Sequence, residues 1–424
     1  MIAVKIDIKV APLSISRMES NATECSKKTR EELIAICKKM SIKGYSGKKK
    51  DDIEKMLSSN KDTIVKNNDM PAASSEKIYR LNYIGSKFQL LEWIALNMKE
   101  KTGWTSFTNK RIGDLFSGTG IVSYHFRKNN ALVVSNDAEL YSSIITHAFT
   151  RSIYTEQCKK IIDEFQQDIQ DNKHSTTVGF VTTHYSPHGL NERKFFTIEN
   201  AKRIDYIRNK LESIKNTILL DEYNFILASI LISADAVSNV PAVYGCFLKN
   251  FKSKAAKNLT LTPIHNNTLK VVDGSNTYNS DVLNTEFLRS FESDLVYLDP
   301  PYNERQYSKN YFPLNIIAKT PEILLSESPL KGKTGIPADC FISPFCKKGT
   351  VIEDAFDLLF RELKTKWIFM SYNSESIVSK EKMLDIMKKY GDASVIERDY
   401  KRFKSFEYNK DIEIKEYLFC LHKT

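Results

Sequence analysis

A rigid segment that combines an acid, two prolines and an aromatic residue follows an apolar run at 295–307, LVYLDPPYNERQY. Consecutive prolines fix φ and remove two backbone donors, which leaves their carbonyl oxygens free to accept hydrogen bonds. Asp299 and the carbonyl of Pro300 could accept the two N–H bonds of an aromatic amine, and Pro301 leads to Tyr302, whose ring could stack on a flat base. The segment predicts a site for an amino group on a planar ring, although four residues alone would also fit a turn after a strand.

A glycine-containing loop in RIGDLFSGTGIVSYHF, at 111–126, follows a second apolar run. The loop lacks the third glycine of the dinucleotide-binding fingerprint, which disfavours a pyrophosphate ligand. About twenty residues later ALVVSND ends at Asp137, whose carboxylate could accept the hydroxyls of a ribose or cap the following helix. Both features favour a nucleoside cofactor. The candidate cofactor residues of the loop are Asp114, Phe116, Gly118, Thr119 and Gly120.

A third segment, LNYIGSKFQLLEWI, places Tyr83, Gly85 and Lys87 before the glycine loop. With these three segments in this order, the chain resembles the Dam-type group of DNA adenine-N6 methyltransferases, and within it the restriction-modification enzymes that carry DPPYNxRQY. The resemblance spans about 78–424 and covers the catalytic motif Asp299-Pro300-Pro301-Tyr302 letter for letter.

The resemblance implies a cofactor, S-adenosyl-L-methionine, and roles for individual residues. Tyr83 and Lys87 are expected near the methionine end of the cofactor, and the backbone of the glycine loop at 116–120 is expected close to it. Asp137 is expected at its ribose and Asp281 at its adenine ring. The stretch NVPAVYGCFLKNF is similar to the VYGxFLK stretch of the family, which implies that Tyr244 and Lys249 face DNA, together with Arg305 after the catalytic motif. The expected partner is double-stranded DNA, read at a short palindrome, with a cognate restriction endonuclease as a further partner. No metal is expected.

The elements that must position these residues alternate as expected of an α/β fold. Apolar strand-like runs after residue 77 alternate with amphipathic helical stretches, which indicates a largely parallel sheet, and ligands of such sheets lie beyond the carboxyl ends of the strands. We predict a Rossmann-like methyltransferase domain at 78–150 and 266–424, with a mainly helical target-recognition insert at 151–265. The last two β-like runs, YKRFKS and EIKEYLFCLHKT, predict a terminal hairpin at the sheet edge.

A small helical module is predicted at 25–60, followed by a polar linker at 61–77. Thr29 and Glu32 have the spacing of a capping box, and a second helix starts after a glycine-containing turn. Lysines gather where that helix begins, including Lys48 and Lys49, and a helix N-terminus can face a phosphate. The stretch resembles a SAP-like DNA-binding module; a helical hairpin with a solvated charged face is the alternative.

Composition sets the remaining limits. The chain has 424 residues and a formal net charge of +10, which favours polyanionic partners because Lys and Arg release counterions from phosphates. No apolar run reaches the roughly 20 residues needed to span a bilayer, so we expect a soluble intracellular protein with no membrane partner. The seven cysteines form no CxxC pair, and none follows a proline. The first fact disfavours a zinc ribbon, and the second disfavours methylation at cytosine C5, which needs a thiolate nucleophile.

Three other functions stay open from the sequence. A cytosine-N4 DNA methyltransferase also methylates an exocyclic amino group, on a smaller base. An RNA methyltransferase would use the same cofactor. A DNA-binding regulator with a degenerate cofactor fold is disfavoured because the glycine loop and the DPPY motif are both intact. For adenine in a duplex, we expect the base to be swung out into the pocket, which costs a few kcal/mol in stacking and pairing.

Overall fold

The computed structural model describes residues 77–320, 323–324, 329–401 and 413–424, with residues 29, 33 and 49–53 of the amino-terminal part. The chain divides into two compact units, 1–75 and 76–424. Within the module predicted at 25–60, Leu33 and residues 50–53 are helical, while Lys49 is exposed and Lys48 lies outside the described residues. The strands and helices described below all belong to the second unit.

A seven-stranded sheet forms the centre of the second unit, and most of its strands are parallel. Its strands lie in the order β3-β2-β1-β4-β7-β9-β8, and a separate two-stranded hairpin holds β5 and β6. Neighbours from β3 to β7 are parallel, whereas β9 runs antiparallel to both β7 and β8. The strands are β1 (Arg111–Asp114), β2 (Leu132–Asn136), β3 (Asn276–Tyr278), β4 (Glu292–Leu298), β5 (Leu330–Lys331), β6 (Ile336–Pro337), β7 (Lys364–Asn373), β8 (Gly391–Lys401) and β9 (Glu413–Lys423).

Twelve α-helices of four or more residues accompany the described strands. Two of them begin at a threonine cap: the side chain of Thr155 accepts a hydrogen bond from the amide of Cys158, and that of Thr197 accepts one from the amide of Asn200. The helices are α1 (Leu91–Thr102), α2 (Ile121–Lys128), α3 (Leu140–Thr150), α4 (Glu156–Gln170), α5 (Phe180–Tyr185), α6 (Ile198–Ser213), α7 (Leu220–Ala236), α8 (Thr285–Ser290), α9 (Tyr307–Asn310), α10 (Phe312–Ala318), α11 (Thr350–Glu362) and α12 (Lys380–Met387).

The sheet is covered on both faces, as an α/β fold requires. Because side chains alternate along a strand, Leu295 and Tyr297 of β4 join one hydrophobic core, while Val296 and Leu298 join the other. Helices α1, α2, α3 and α7 contribute to the first core, and α8, α11 and α12 to the second. The prediction of an α/β fold with a largely parallel sheet is therefore confirmed.

The predicted terminal hairpin is present at the edge of the sheet, but its first strand begins earlier than the predicted run YKRFKS. Strand β8 covers Gly391–Lys401, so only the first two residues of that run at 400–405 belong to it, and the others lie outside the described residues. Strands β8 and β9 pair over their full lengths, and β9 also pairs with β7, so β9 is an inner strand and β8 forms the edge on this side of the sheet. The run YLFCL in β9 is apolar on both faces, with Leu418 in one core and Phe419 in the other. Such a run is typical of a strand buried on both sides, and this pattern explains the interior position of β9.

Residues 151–265 contain helices α4 to α7 and belong to the same compact unit as the sheet. Helix α7 is the link, because it contacts α3 on the sheet side and both α4 and α6 on the other. Thirteen of its seventeen residues are buried, which suits a helix with neighbours all around it. No helix in the described ranges is long and apolar enough to cross a membrane.

Candidate active site

The carboxyl ends of β1, β2 and β4 open into one pocket of about 900 Å³, counting its solvent-open mouth. The pocket unites the three segments singled out in the sequence, as the placement rule for open α/β sheets predicts. Predicted residues that line it are Tyr83, Lys87, Phe116, Gly118, Thr119, Asp137, Asp281, Asp299, Pro301 and Tyr302.

A buried ion-pair cluster forms around the acid of the DPPY motif. Asp299 continues the face of β4 that carries Leu295 and Tyr297, so its carboxylate points to the side of the sheet where α1 begins. There the Nζ atom of Lys87 lies 2.8 Å from Oδ1 of Asp299 and donates a hydrogen bond to the carbonyl of Gly85 at 3.0 Å. Lys87 is thus a partner of the motif's acid, a contact that the sequence did not predict.

Glu416 of β9 completes the cluster and was missed by the sequence analysis. Its Oε1 atom lies 3.7 Å from Nζ of Lys87, and the residue is 5% exposed. The signal was present: Glu416 shares a strand face with Leu418 and Cys420, which both lie in the hydrophobic core. A glutamate at an inward position of a buried strand requires a cationic or hydrogen-bonding partner, and this requirement could have directed attention to it.

Burial and charge compete in this cluster. Burial lowers the pKa of Lys87, but the carboxylates of Asp299 and Glu416 more than offset it and hold that pKa above its ordinary value. Burial raises the pKa of Asp299 while the ammonium of Lys87 opposes the rise. For Glu416, burial is again the largest cause and raises its pKa to about 7, against the pull of Lys87. The lysine therefore stays charged and favours ionised Asp299.

Tyr302 is held over the start of the first segment. Gly85 has a φ of +85°, and a Cβ atom there would lie 3.1 Å from the hydroxyl of Tyr302. The ammonium of Lys87 lies 5.7 Å from the centre of the Tyr302 ring, and the carbonyl of Tyr302 accepts the amide of Ile377 at 3.1 Å. The absence of a side chain at Gly85 thus permits the close approach of the YIGSK and DPPY segments.

Two tyrosines after the DPPY motif fix the backbone of the first segment. The hydroxyl of Tyr311 accepts the amide of Ile84 at 3.0 Å, and the hydroxyl of Tyr307 donates to the carbonyl of the same residue at 3.2 Å. Tyr83 stacks on Tyr311, with ring centres 4.8 Å apart. The position of Tyr83 in the pocket therefore depends on α9 and on the residue that follows it.

The glycine loop and the predicted ribose acid are joined by hydrogen bonds. Asp137 accepts the amide of Gly118 at 2.8 Å and that of Glu139 at 2.9 Å, while Ser142 donates to the carbonyl of Gly118. Burial raises the pKa of Asp137, and these amides oppose the rise. Asp137 thus orders the loop as well as lining the pocket, whereas the N-cap of α3 is Glu139, so Asp137 is not the cap of that helix.

Three aromatic residues and a glycine shape the cofactor side of the pocket. Gly118 has a φ of +52°, and a Cβ atom there would lie 3.1 Å from the Tyr83 ring, so a side chain would crowd this wall. Phe116 meets Phe345 edge to face at 5.1 Å, which provides an apolar wall for a flat ring. A carboxylate, a backbone close to the pocket and an aromatic wall together fit the nucleoside part of S-adenosylmethionine. Within the described ranges, no group of three or more His, Cys, Asp or Glu residues could hold a metal ion.

Glu139 is a second acid of the pocket that the sequence analysis did not single out. It follows Asp137 by two residues, is 6% exposed, and its Oε2 atom accepts the side-chain amide of Asn315 at 2.6 Å. Burial raises the pKa of Glu139 to about 7, and the hydrogen bond from Asn315 opposes the rise. The amide of Tyr141 donates to the carbonyl oxygen of the same Asn315, so α10 is tied to the start of α3.

Three of the predicted catalytic and cofactor residues lie outside the pocket lining. Asp114, the last residue of β1, is 1% exposed and accepts a hydrogen bond from the hydroxyl of Ser123 in α2 at 2.6 Å. Burial raises its pKa to about 7. Asp114 thus joins the two elements that flank the glycine loop. Gly120 faces α3, where a Cβ atom would lie 2.8 Å from Cα of Thr146. Pro300 is buried, so only its main chain could reach a ligand. Asp114 therefore hydrogen-bonds α2 and Gly120 packs against α3, both outside the pocket lining, and their contacts with a cofactor stay a prediction.

Comparison with known proteins identifies the family. The sequence model of the D12 class N6 adenine-specific DNA methyltransferases matches residues 83–386, which contain the pocket segments from Tyr83 to Tyr302. The chain belongs to this family. It is a site-specific adenine DNA methyltransferase that uses S-adenosylmethionine.

Several relatives of this methyltransferase match over most of its length. The Type II methyltransferase M.CviAII of Paramecium bursaria Chlorella virus 1 is 37% identical over 343 residues, covering 81% of this chain and 98% of that protein. M.NlaIII of Neisseria lactamica is 36% identical, covering 81% and 100%. M.FokI of Planomicrobium okeanokoites is 33% identical, covering 81% and 53%. A solved precorrin-6y C5,15-methyltransferase of Geobacter metallireducens has a TM-score of only 0.27 at 9% identity, with 84% and 96% covered, too low to support an argument.

The predicted DNA-facing residues of the methyltransferase fall into two groups. Lys249, Arg305 and Lys49 are exposed, as a phosphate contact requires. Tyr244 is not: it is 1% exposed, its hydroxyl donates to Oδ1 of Asp235 at 2.8 Å, and its amide donates to the carbonyl of Asn310. The prediction that Tyr244 faces DNA is wrong for this structure, because burial of Asp235 requires a donor and Tyr244 provides it.

Proposed function

We propose that this methyltransferase flips an adenine out of duplex DNA and binds it in the mouth of the pocket, where Asp299 and the carbonyl of Pro300 accept the two N–H bonds of N6. The observation that carries the proposal is that Asp299 and the glycine loop line the same pocket. The acceptor for the amine and the wall for the cofactor thus lie in one pocket, so that the adenine and the cofactor could bind next to each other. Holding two reactants in alignment removes a large entropic cost from the reaction.

The lone pair of the adenine amino group is delocalised into the ring, so the site must make the nitrogen a better nucleophile. Acceptors on both N–H bonds direct the lone pair out of the ring plane. Lys87, 2.8 Å from Asp299, favours the ionised carboxylate that accepts most strongly. The proton that N6 gives up after transfer is held by the carboxylate of Asp299. Tyr302 offers the face on which the base stacks.

The cofactor residues are proposed one by one from their positions in the pocket. Tyr83, Phe116, Gly118 and Thr119 form the walls, Asp137 faces the ribose, and Asp281 faces the adenine ring. Lys87, first expected beside the methionine part of the cofactor, is proposed to serve Asp299 instead. When bound, S-adenosylmethionine supplies an electrophilic methyl group on a positively charged sulfur, so no covalent enzyme intermediate is needed.

DNA contacts are proposed for two regions outside the pocket. Residues 151–265, with helices α4 to α7, are proposed as the target-recognition region, with exposed Lys249 within it as a phosphate contact. Exposed Arg305, after the catalytic motif, is proposed as a further phosphate contact. The module at 25–60, with Lys48 and Lys49, is proposed as a SAP-like anchor that binds DNA without sequence preference. The Type II names of the relatives support a restriction-modification role and a cognate endonuclease for the same site.

The test is methylation of unmethylated genomic DNA by the purified protein with S-adenosylmethionine, followed by single-molecule sequencing for modified bases. We expect N6-methyladenine in one short motif, and none above background with Asp299→Asn. Asp385→Asn, which changes an exposed aspartate of α12, is the matched control and should methylate like wild type. Methylated cytosine, or full activity of Asp299→Asn, would contradict the proposal.

A further inference from the structure

The second carboxylate of the buried cluster has no role in the chemistry described so far. Glu416 lies on β9, far along the chain from both motifs, yet it contacts the lysine that contacts Asp299. We propose that Glu416 is a positioning residue for methyl transfer: acting through Lys87, its charge sets how strongly the carboxylate of Asp299 accepts the adenine amino group. The inference rests on the proposed role of Asp299.

The geometry places one ammonium between two carboxylates. Nζ of Lys87 lies 2.8 Å from Asp299, 3.7 Å from Glu416 and 3.0 Å from the carbonyl of Gly85. Lys87 is 5% exposed, so water does not substitute for these partners. Oε1 of Glu416 is buried and has no hydrogen-bond partner among the described residues. The ammonium is therefore closer to Asp299, and Glu416 has the weaker interaction with it.

Other charged groups near Glu416 do not replace Lys87. Tyr297 of β4 shares the same face of the sheet, with its hydroxyl donating to Ser371 of β7 at 2.7 Å. Arg398 of β8 is the cross-strand neighbour of Glu416, but its guanidinium lies over the Trp93 ring at 5.8 Å, and no Arg398–Glu416 ion pair within 4.0 Å is found among the described residues. On the β7 side the register neighbour is Asn373, which is uncharged.

The charge of Glu416 changes what Lys87 does. With Glu416 neutral, the ammonium belongs to Asp299 alone and the pair is balanced, which weakens Asp299 as an acceptor. With Glu416 ionised, the ammonium is shared and the cluster carries one net negative charge beside the amino group. That charge stabilises the positive charge that develops on N6 during transfer. Because burial raises the pKa of Glu416 to about 7, both states are populated near neutral pH.

The experiment is single-turnover methylation of a DNA duplex at saturating S-adenosylmethionine between about pH 6 and about pH 8.5, using wild type, Glu416→Gln and Glu397→Gln. Glu397 is an exposed residue of β8, paired in register with Tyr417 of β9, and serves as the matched control. We expect the wild-type rate to rise about tenfold through a step near neutral pH, which corresponds to about 1.4 kcal/mol in the barrier. Glu416→Gln should match wild type at low pH and lack the step, with an unchanged Kd for S-adenosylmethionine, while Glu397→Gln keeps the step.

The outcomes separate this inference from the role of Asp299. If Asp299→Asn is inactive and Glu416→Gln reproduces the wild-type rate and pH profile, the inference about Glu416 is overturned and the role of Asp299 stands. If Asp299→Asn stays active, the proposed function itself fails. Should Glu416→Gln not fold, Glu416→Asp keeps the carboxylate and is expected to retain the step with a shifted midpoint; a wild-type profile that is flat across the range also overturns the inference.

Discussion

Lys87 and Asp299 form an ion pair of 2.8 Å that joins the first sequence segment of the site to the last. Only 5% of the side-chain surface of Lys87 and 19% of that of Asp299 are exposed. The pair explains why a lysine stands two residues after Gly85, whose carbonyl accepts a hydrogen bond from the same ammonium. The first segment therefore serves the amine acceptor directly, in addition to its place in the cofactor wall.

Lys87→Met is expected to lower the free energy of unfolding by about 3–5 kcal/mol, because it leaves two buried carboxylates without their cation. The loss should grow with pH. Without the ammonium, the folded-state pKa values of Asp299 and Glu416 rise further above their unfolded-state values. Stability is therefore lost as pH rises from the unfolded-state pKa values through the folded-state ones. Urea unfolding at about pH 6 and about pH 8.5 measures this, and an equal loss at both pH values would contradict it.

Glu416→Gln is expected to become more stable relative to wild type as pH rises from about 4.5 to about 7, and to level off above that. Burial raises the folded pKa of Glu416, so its contribution to wild-type stability is largest at low pH and is lost as the group ionises. Glu397→Gln should show the opposite trend and at lower pH, becoming less stable relative to wild type as pH rises toward about 4.5 and staying level above it, because Lys380 and Lys415 lower the pKa of Glu397 in the folded protein. Two variants with the same trend in chemical denaturation would refute this assignment.

The sequence was sufficient for the parts of the site that follow strands. Apolar runs locate β1, β2 and β4, and the rule that ligands bind at their carboxyl ends brings the glycine loop, Asp137 and Asp299 into one pocket. These are local patterns, readable within a few residues. The hydrogen bond from the amide of Gly118 to Asp137 joins two residues that follow the neighbouring strands β1 and β2.

Contacts between distant segments were not readable in this way. Glu416 could not be assigned to Lys87 without knowing that β9, and not β8, is the strand of the terminal hairpin that pairs with β7. Tyr244 was expected at the DNA because a motif gives the identity of a residue but not the direction of its side chain. The buried acid Asp235 determines that direction, and nothing in the motif reveals it.

The two glycines of the FSGTG loop are expected to respond differently to alanine, although both have positive φ. At Gly118 the new Cβ would lie 3.1 Å from the Tyr83 ring in the pocket wall, so Gly118→Ala should weaken S-adenosylmethionine binding more than it lowers Tm. At Gly120 it would lie 2.8 Å from the Thr146 backbone, so Gly120→Ala should lower Tm markedly. Calorimetric titration and thermal unfolding of both variants check this, and similar profiles for the two would argue against separate roles.

Tyr244→Phe and Lys249→Ala test the corrected assignment of the VYGCFLK stretch. Loss of the Tyr244 hydroxyl leaves buried Asp235 with one donor fewer, so we expect a loss of about 1–3 kcal/mol in the free energy of unfolding and little change in DNA affinity. Lys249 is exposed, so Lys249→Ala should keep stability and reduce the slope of log affinity against log salt by about 1. Fluorescence anisotropy with a DNA duplex at several salt concentrations, alongside urea unfolding, measures both effects. If Tyr244→Phe instead weakened DNA binding at unchanged stability, its side chain would have to turn outward in the DNA complex.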